Sequence, residues 1–259
     1  MSSAPFSLDG KTALITGAGG GIGRALVAAF GQAGAAVIGA DREAEMLEGL
    51  DLASKVLCDL TDTAGTQAAI NAHIAAHGAP DILVSNAGFT RAETMSQVDM
   101  GTWEAELAIN LNGAYAVAGP IVEAMAARGG GSVVFISSVN GLAHFGNPAY
   151  SAAKAGLIAY AKAIALERGR KGVRANVVCP GSVRTPAWDH RLDKNPALLD
   201  KVLPHYPLGR LVSPEEVANA VIFFASDASS GITGTALAVD AGLTAGNMRF
   251  VSEVLQAEN

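Results

Sequence analysis

Short runs of apolar residues alternate along the chain with longer stretches in which apolar positions recur every three or four residues. The runs at 11–16, 35–40, 54–58, 81–85, 132–137, 173–178 and 235–239 have the length and near-continuous hydrophobicity of strands buried on both faces. The longer stretches predict helices over 24–33, 64–77, 100–128 and 150–166, the third interrupted near Gly113 and at Gly119-Pro120. Ser213-Pro-Glu-Glu216 starts a further helix, with serine as N-cap, proline at the first helical position and glutamate at the third. Strand and helix alternate throughout, with no repeat, low-complexity tract or linker. That order requires a parallel sheet covered on both faces, in a single α/β domain over residues 1–259.

Composition narrows the partners. Half of the residues are hydrophobic and 16% are charged, which suits a globular chain with a large core. A net charge of −6 and scattered Lys and Arg argue against nucleic acid as the main partner. The first ten residues lack the basic and apolar regions of a signal peptide, and no apolar run reaches membrane-spanning length. Cys58 and Cys179 are the only cysteines, each in or at the end of a predicted strand. Two buried thiols without a disulfide suit a reducing cytoplasm. Neither has a second Cys or a His at ligand spacing, and His73 and His77, four apart on a predicted helix, have no acidic or thiolate companion. The expectation is a solvated helix face and no metal site.

The glycine-rich turn Gly17-Ala-Gly-Gly-Gly-Ile22-Gly23 lies between the first strand and first helix. Strand, glycine turn and helix together aim backbone N–H groups and a helix N-terminus at a phosphate, although the spacing of Gly17, Gly21 and Gly23 is not the G-x-G-x-x-G form. The second strand ends in Asp41, whose carboxylate can accept hydrogen bonds from an adenosine ribose and would repel a 2′-phosphate. This favours NAD over NADP. Arg42 works against that preference, because a basic side chain there could pair with the same phosphate. Asn86-Ala87-Gly88 closes the fourth strand, in the crevice where open α/β sheets bind ligands. Asn110 is an amide among apolar neighbours and needs buried partners.

Tyr150 and Lys154 stand four apart at the start of an alanine-rich helix, so phenol and ammonium share one face. A nearby cation favours phenolate and lowers the phenol's ordinary pKa of roughly 10. Such a pair can exchange a proton with an alcohol or carbonyl near neutral pH.

With Thr16-Gly-x-x-x-Gly-x-Gly23, Asn86-Ala-Gly88, Asn110, Ser138, Tyr150-x-x-x-Lys154 and Pro180-Gly181 in order, the chain resembles the compact branch of the short-chain dehydrogenase/reductase family over about residues 8 to 243. The resemblance implies a Rossmann-like, doubly wound, seven-stranded parallel sheet and a homotetramer. It implies a nicotinamide cofactor and a Ser138–Tyr150–Lys154 centre with Asn110 as fourth member. In that family the tyrosine exchanges the proton, the lysine binds the nicotinamide ribose and lowers the phenol's pKa, and the serine holds the substrate oxygen. The asparagine keeps a helix carbonyl open for a relay water. Carried over by position, Gly17, Gly21, Ile22, Gly23, Asp41, Asp59, Leu60, Asn86, Ala87, Gly88, Pro180, Gly181, Val183 and Thr185 would hold the cofactor together with Tyr150 and Lys154, with Asp59 by the adenine and Thr185 near the nicotinamide amide. Ser85 stands where a second asparagine is usual, and Ala241 replaces a frequent glycine.

The expected reaction interconverts a secondary alcohol and a ketone on a small-molecule substrate. The substrate itself is sought in the weakly periodic segment 182–210, expected to be a lid. It carries Arg184, His190, Arg191, Lys194, Lys201 and His205 against three aspartates, on a chain that is acidic overall. That charge points to a sugar, polyol or hydroxy acid with an anionic group, held by Arg184 beside Ser138 and Tyr150. A 3-oxoacyl thioester or apolar ketone is the alternative substrate, and a nucleotide-sensing protein without catalysis is the alternative of another class. In the tail 247–259, Phe250, Val251, Val254 and Leu255 are expected to form a short apolar face on a neighbouring subunit.

Overall fold

The structure is a computed structural model that describes residues 5–90 and 94–255. Seven strands form one parallel sheet in the order β3-β2-β1-β4-β5-β6-β7. They are β1 (Thr12–Thr16), β2 (Ala36–Asp41), β3 (Ser54–Leu57), β4 (Ile82–Ser85), β5 (Gly131–Ile136), β6 (Val173–Pro180) and β7 (Ala236–Val239). The four residues of β4 are all buried, as an inner strand covered on both faces requires. One face carries α1 (Gly21–Gln32) and α8 (Pro214–Ala225), around Leu26, Phe30, Val217 and Phe224. The other carries α2 (Thr63–His77), α4 (Gly113–Arg128) and α5 (Pro148–Arg168), around Ile70, Ile121, Phe135 and Leu157. The chain leaves β1 toward β2 and β3, then returns to place β4 on β1's other side. The carboxyl ends of β1 and β4 therefore flank the switch point, where such sheets bind ligands.

Local signals account for most element boundaries. Ser213 and Glu216 form the capping box expected at the start of α8, each side chain bonded to the other's backbone N–H. The expected helix 100–128 keeps the interruption expected near Gly113 but not the one expected at Gly119-Pro120. It divides into α3 (Met100–Leu107), a π-turn (Ala108–Asn112) and α4, so the discontinuity falls just before Gly113. Pro120 does not interrupt α4. Ala116, Val117, Ala118, Ile121, Val122 and Met125 are buried on either side of it, and that packing outweighs the hydrogen bond lost at proline.

His73 corrects the expectation of a solvated face. Thr66, Ile70 and His73 form the buried i, i+4, i+7 stripe of α2, while His77 stays exposed. Burial lowers the pKa of His73. Cys179 is buried, whereas Cys58, expected to be buried, is partly exposed. Among the described residues no group of three or more His, Cys, Asp and Glu could hold a metal ion, and no helix is long and apolar enough to cross a membrane.

The segment 182–210 is more regular than its sequence suggested. It folds into α6 (Pro186–Lys194), α7 (Leu198–Val202) and a 3-10 turn, Leu203–His205. Trp188, Tyr206 and Leu211 give it a small core of its own. A parallel bridge between Val183 and Val212 staples its two ends together. Arg184 N–H donates to the Val212 carbonyl at 2.8 Å, and Val212 N–H to that of Ser182 at 3.1 Å.

Candidate active site

The nucleotide end is built from backbone. Gly17 has a φ of +63°, open to glycine at little cost, and a Cβ there would lie 2.9 Å from the Cα of Ala87. Thr16 Oγ1 accepts the N–H groups of Asn86 and Ala87 at 3.0 and 3.1 Å. Asn86 returns its amide to the carbonyls of Thr16 and Gly17 at 2.9 and 3.2 Å. Asn86 thus welds the end of β4 to the glycine turn, and its side chain is spent on that. No side chain caps the N-terminus of α1, which begins at Gly21 and continues through Ile22 and Gly23. An uncapped helix start beside a glycine turn fits a diphosphate.

A cleft beside this turn is lined by Gly17, Asp41, Arg42, Glu43, Cys58, Asp59, Leu60, Ala87 and Gly88 among others. Asp41 Oδ2 accepts the Gly19 N–H at 3.0 Å and Oδ1 that of Arg42 at 2.8 Å. Arg42, the residue that weakened the NAD preference, turns its guanidinium to Glu43 at 2.6 Å. Two hydrogen bonds from Thr61 hold the Asp59 carboxyl below its ordinary pKa. Carboxylates therefore dominate this end of the site. Pro180 ends β6, Gly181 N–H donates to the Val239 carbonyl at 3.0 Å, and Val183 sits buried at the base of the lid segment. Thr185, which precedes α6, lies against Gly21.

The reacting end assembles Asn110, Ser138, Tyr150 and Lys154. Lys154 is buried, donates from Nζ to the Ile136 carbonyl at 2.9 Å and lies 5.4 Å from the centroid of the Tyr150 ring. A Cβ on Gly88 would meet Asn110 Oδ1 at 2.9 Å and Lys154 Nζ at 3.0 Å, so only glycine fits between these two groups. Asn110 is fully buried in the π-turn, a widened helical turn of the kind that recurs at functional sites. Its Oδ1 accepts the Phe89 N–H at 3.1 Å, and its Nδ2 donates to the carbonyls of Phe89 at 2.7 Å and Glu106 at 2.9 Å.

The acid–base balance corrects one sequence expectation. Tyr150 does not have the lowered pKa expected of it in this arrangement. Although the tyrosine keeps part of its surface exposed, burial of the phenol pushes it up to about 12, and the Ser138 hydroxyl only partly opposes this. Burial also pulls Lys154 down to about 8.

A cavity of about 570 Å³ opens on Ser138. Thr94, Asn140, Asn147, Arg191, His205 and Tyr206 give it polar walls, and Val139, Phe145, Val202 and Leu243 apolar ones. The lid cation expected here departs from the sequence reading. Arg184 pairs with Asp189 at 2.6 Å and is not among the lining residues, because the turn of α6 brings Arg191 to the cavity instead. Arg191 stacks on the Trp188 ring, its guanidinium carbon 4.7 Å from the centroid. Trp188 and Arg191 stand three apart, which was the available sequence signal once α6 is known to begin at Pro186. Asn147 was not anticipated. It has a φ of +51°, and its Oδ1 is buried without a hydrogen-bond partner.

Residues 17–244 match the family described as enoyl-(acyl carrier protein) reductase. The chain is 40% identical over 255 residues to an uncharacterised oxidoreductase of Schizosaccharomyces pombe, covering 98% of both. A short-chain dehydrogenase/reductase family oxidoreductase from Burkholderia thailandensis superposes with a TM-score of 0.87 at 45% identity, over 96% of this chain and 98% of that one. A gluconate 5-dehydrogenase from Burkholderia cenocepacia, in complex with NADP and tartrate, superposes with a TM-score of 0.86 at 35% identity, over 93% and 98%. With the ordered motifs at one end of a seven-stranded parallel sheet, these likenesses place the chain in the short-chain dehydrogenase/reductase family, as a nicotinamide-dependent oxidoreductase acting on CH–OH groups.

Proposed function

We propose that the protein interconverts a secondary alcohol and a ketone on a small polyhydroxylated substrate bearing a carboxylate, with NAD as cofactor. The observation that carries this reading is the polar cavity at Ser138, where Asn147 and Arg191 stand on one wall system. A guanidinium binds a carboxylate in a bidentate fork. The Asn147 Oδ1, without a hydrogen-bond partner, suits a substrate hydroxyl as its donor. The gluconate 5-dehydrogenase neighbour, whose structure holds tartrate, supports the same class.

The nicotinamide, when bound, supplies the hydride chemistry. The uncapped start of α1 would hold the diphosphate, Asp41 the adenosine ribose, and Asp59 and Leu60 the flank of the adenine. Pro180, Gly181, Val183 and Thr185 would border the nicotinamide, and Lys154 would reach its ribose. Ser138 would hydrogen-bond the substrate oxygen while Tyr150 gives or takes its proton. Asn110 would hold the segment after β4 in place beneath Lys154. The NADP in that neighbour is the observation against NAD. Asp41, Asp59 and the Arg42–Glu43 pair favour NAD.

A 3-oxoacyl thioester reductase is the second reading, supported by the description of the matching family and by the apolar side of the cavity. A screen of NADH formation or consumption with aldonates, polyols, simple ketones and acetoacetyl-CoA decides between them. The first reading predicts the highest kcat/KM on a hydroxylated acid. Best activity on the thioester would replace it with the second.

Assembly belongs to the same proposal. Tyr115 is 55% exposed on α4 and Leu166 83% exposed on α5, on a face that suits burial in a homotetramer. In the tail, Phe250, Val251, Val254 and Leu255 are exposed around a short helical turn, available to a neighbouring subunit. Residues 256–259 of that tail lie outside the described residues. The two free cysteines, Cys58 and Cys179, support a cytoplasmic location.

A further inference from the structure

Arg24 stands just past the glycine turn, on the first turn of α1, and belongs to none of the motifs that define the site. Its guanidinium meets three carbonyls. Nε donates to that of Gly19 at 3.0 Å, Nη2 to that of Met46 at 2.9 Å and Nη1 to that of Glu48 at 3.4 Å. One side chain therefore ties the glycine turn to the loop that follows β2. A charged donor strengthens such bonds, and the planar fork fixes the acceptors relative to one another.

What that loop carries gives the tie its meaning. Arg42, Glu43 and Met46 line the same cleft as Asp41, so they form the wall beside the place given to the adenosine ribose. The loop passes through a 3-10 turn, Ala44–Leu47, anchored by the fully buried Leu47. It also touches the glycine turn directly, since a Cβ on Gly19 would run into the Met46 carbonyl. The Gly19 residue is thus held from two sides: its N–H donates to Asp41 Oδ2 at 3.0 Å, and its carbonyl accepts from Arg24. Asp41 in turn accepts the Arg42 N–H at 2.8 Å. Glycine turn, carboxylate and wall form one ring of contacts, which Arg24 closes. A ribose 2′-hydroxyl is small and can donate to the carboxylate. A 2′-phosphate is bulky, is repelled by Asp41 and needs the wall to open.

We propose that Arg24 is a positioning residue of the cofactor site: by clamping the loop 42–48 to the glycine turn, it keeps Asp41 and its wall at the spacing of an unphosphorylated ribose and so enforces NAD over NADP. The proposal rests on the reading of Asp41 as the ribose acceptor and extends it to a residue outside the motifs.

Arg24→Met tests it, since it removes the donors and keeps the apolar stem. Two readouts are taken without turnover: the dissociation constants of NADH and NADPH by fluorescence, and amide hydrogen exchange of the cofactor-free protein over 42–48. NADH binding should weaken about tenfold, the order of one lost hydrogen bond to a charged group, while NADPH binding stays within about threefold. Exchange over 42–48 should quicken, because the loop opens more often. A side chain that merely braces the domain would weaken both dinucleotides alike, through the diphosphate they share. An unchanged ratio of the two constants therefore overturns the proposal, whatever the exchange does. A changed ratio with unaltered exchange overturns it too, since Arg24 would then act on the nucleotide itself. Should Arg24→Met fail to fold, Arg24→Lys puts a single ammonium where a fork spanned two segments, and is read the same way. A parent that binds NADPH more tightly than NADH sinks the reading of Asp41 instead, and the shift in ratio between parent and variant then decides on the clamp alone.

Discussion

Lys154 Nζ sits 5.4 Å from the centre of the Tyr150 ring and is anchored on the Ile136 carbonyl at 2.9 Å. The cation lies beside Gly88, where a Cβ would meet it at 3.0 Å. Burial leaves it down at about 8 from an ordinary 10.5. The depression corresponds to about 3 kcal/mol of cost for keeping the ammonium charged in the folded protein below that pH. The cost is relieved as pH rises from about 8 toward the unfolded value of 10.5, where the unfolded chain binds the extra proton. Above about 10 Tyr150, pushed up to about 12, works in the opposite direction.

Lys154→Met should accordingly abolish turnover without destabilising the cofactor-free protein at neutral pH. The variant loses the bond to Ile136, worth about 1 kcal/mol, and sheds the larger cost of the buried charge. Calorimetry should find Tm equal to or above that of the parent. A fall of more than about 5 °C, or roughly 1–2 kcal/mol in a chain of this size, would show that the ammonium stabilises the fold.

Cofactor choice should follow Asp41. Its carboxylate is held at the cleft by the N–H groups of Gly19 and Arg42, while the Arg42 side chain is engaged by Glu43. The parent should prefer NAD in kcat/KM, and Asp41→Ala should narrow that preference by about tenfold, the value of one lost hydrogen bond to a charged group. A parent that uses NADP better would mean that Arg42 leaves Glu43 to bind the phosphate.

Substrate charge should be read by Arg191 and not by Arg184. Arg191→Ala should raise KM for a carboxylate-bearing substrate about 10- to 100-fold, the range of a charge-assisted hydrogen bond, and leave a neutral polyol within about threefold. Arg184→Ala, whose side chain already pairs with Asp189, should change neither substantially. Steady-state kinetics on one charged and one neutral substrate checks both. Equal effects on the two substrates would assign Arg191 to the packing of α6 against Trp188.

The contrast between these two arginines shows what the sequence could convey. Tyr150 and Lys154 are neighbours by helical spacing, and Ser213 and Glu216 by the geometry of a capping box, so each is legible within a few residues. Thr16, Asn86 and the glycine turn were legible from their place at strand ends. Which lid cation faces the cavity depends on where α6 begins and how it docks on Trp188 and Tyr206, and no local pattern carries that. His73 and Pro120 failed for a related reason, since the packing of α2 and α4 decided burial and continuity against local preference. Ala241, noted in the sequence only as a missing glycine, adopts a φ of +52°.

Assembly is checked independently of chemistry. Light scattering at micromolar concentration should report four chains, with the face around Tyr115 and Leu166 buried. A monomer would remove the role given to that face and to the tail.

Tyr150→Phe tests the central claim most directly, because it removes one hydroxyl and little else. Turnover on the best alcohol from the screen should fall by at least the 10²–10⁴ typical of a positioned acid–base group, while NADH binding followed by fluorescence stays near that of the parent. A variant that retains turnover within about tenfold of the parent would contradict the assignment of Tyr150 as the proton-exchanging residue.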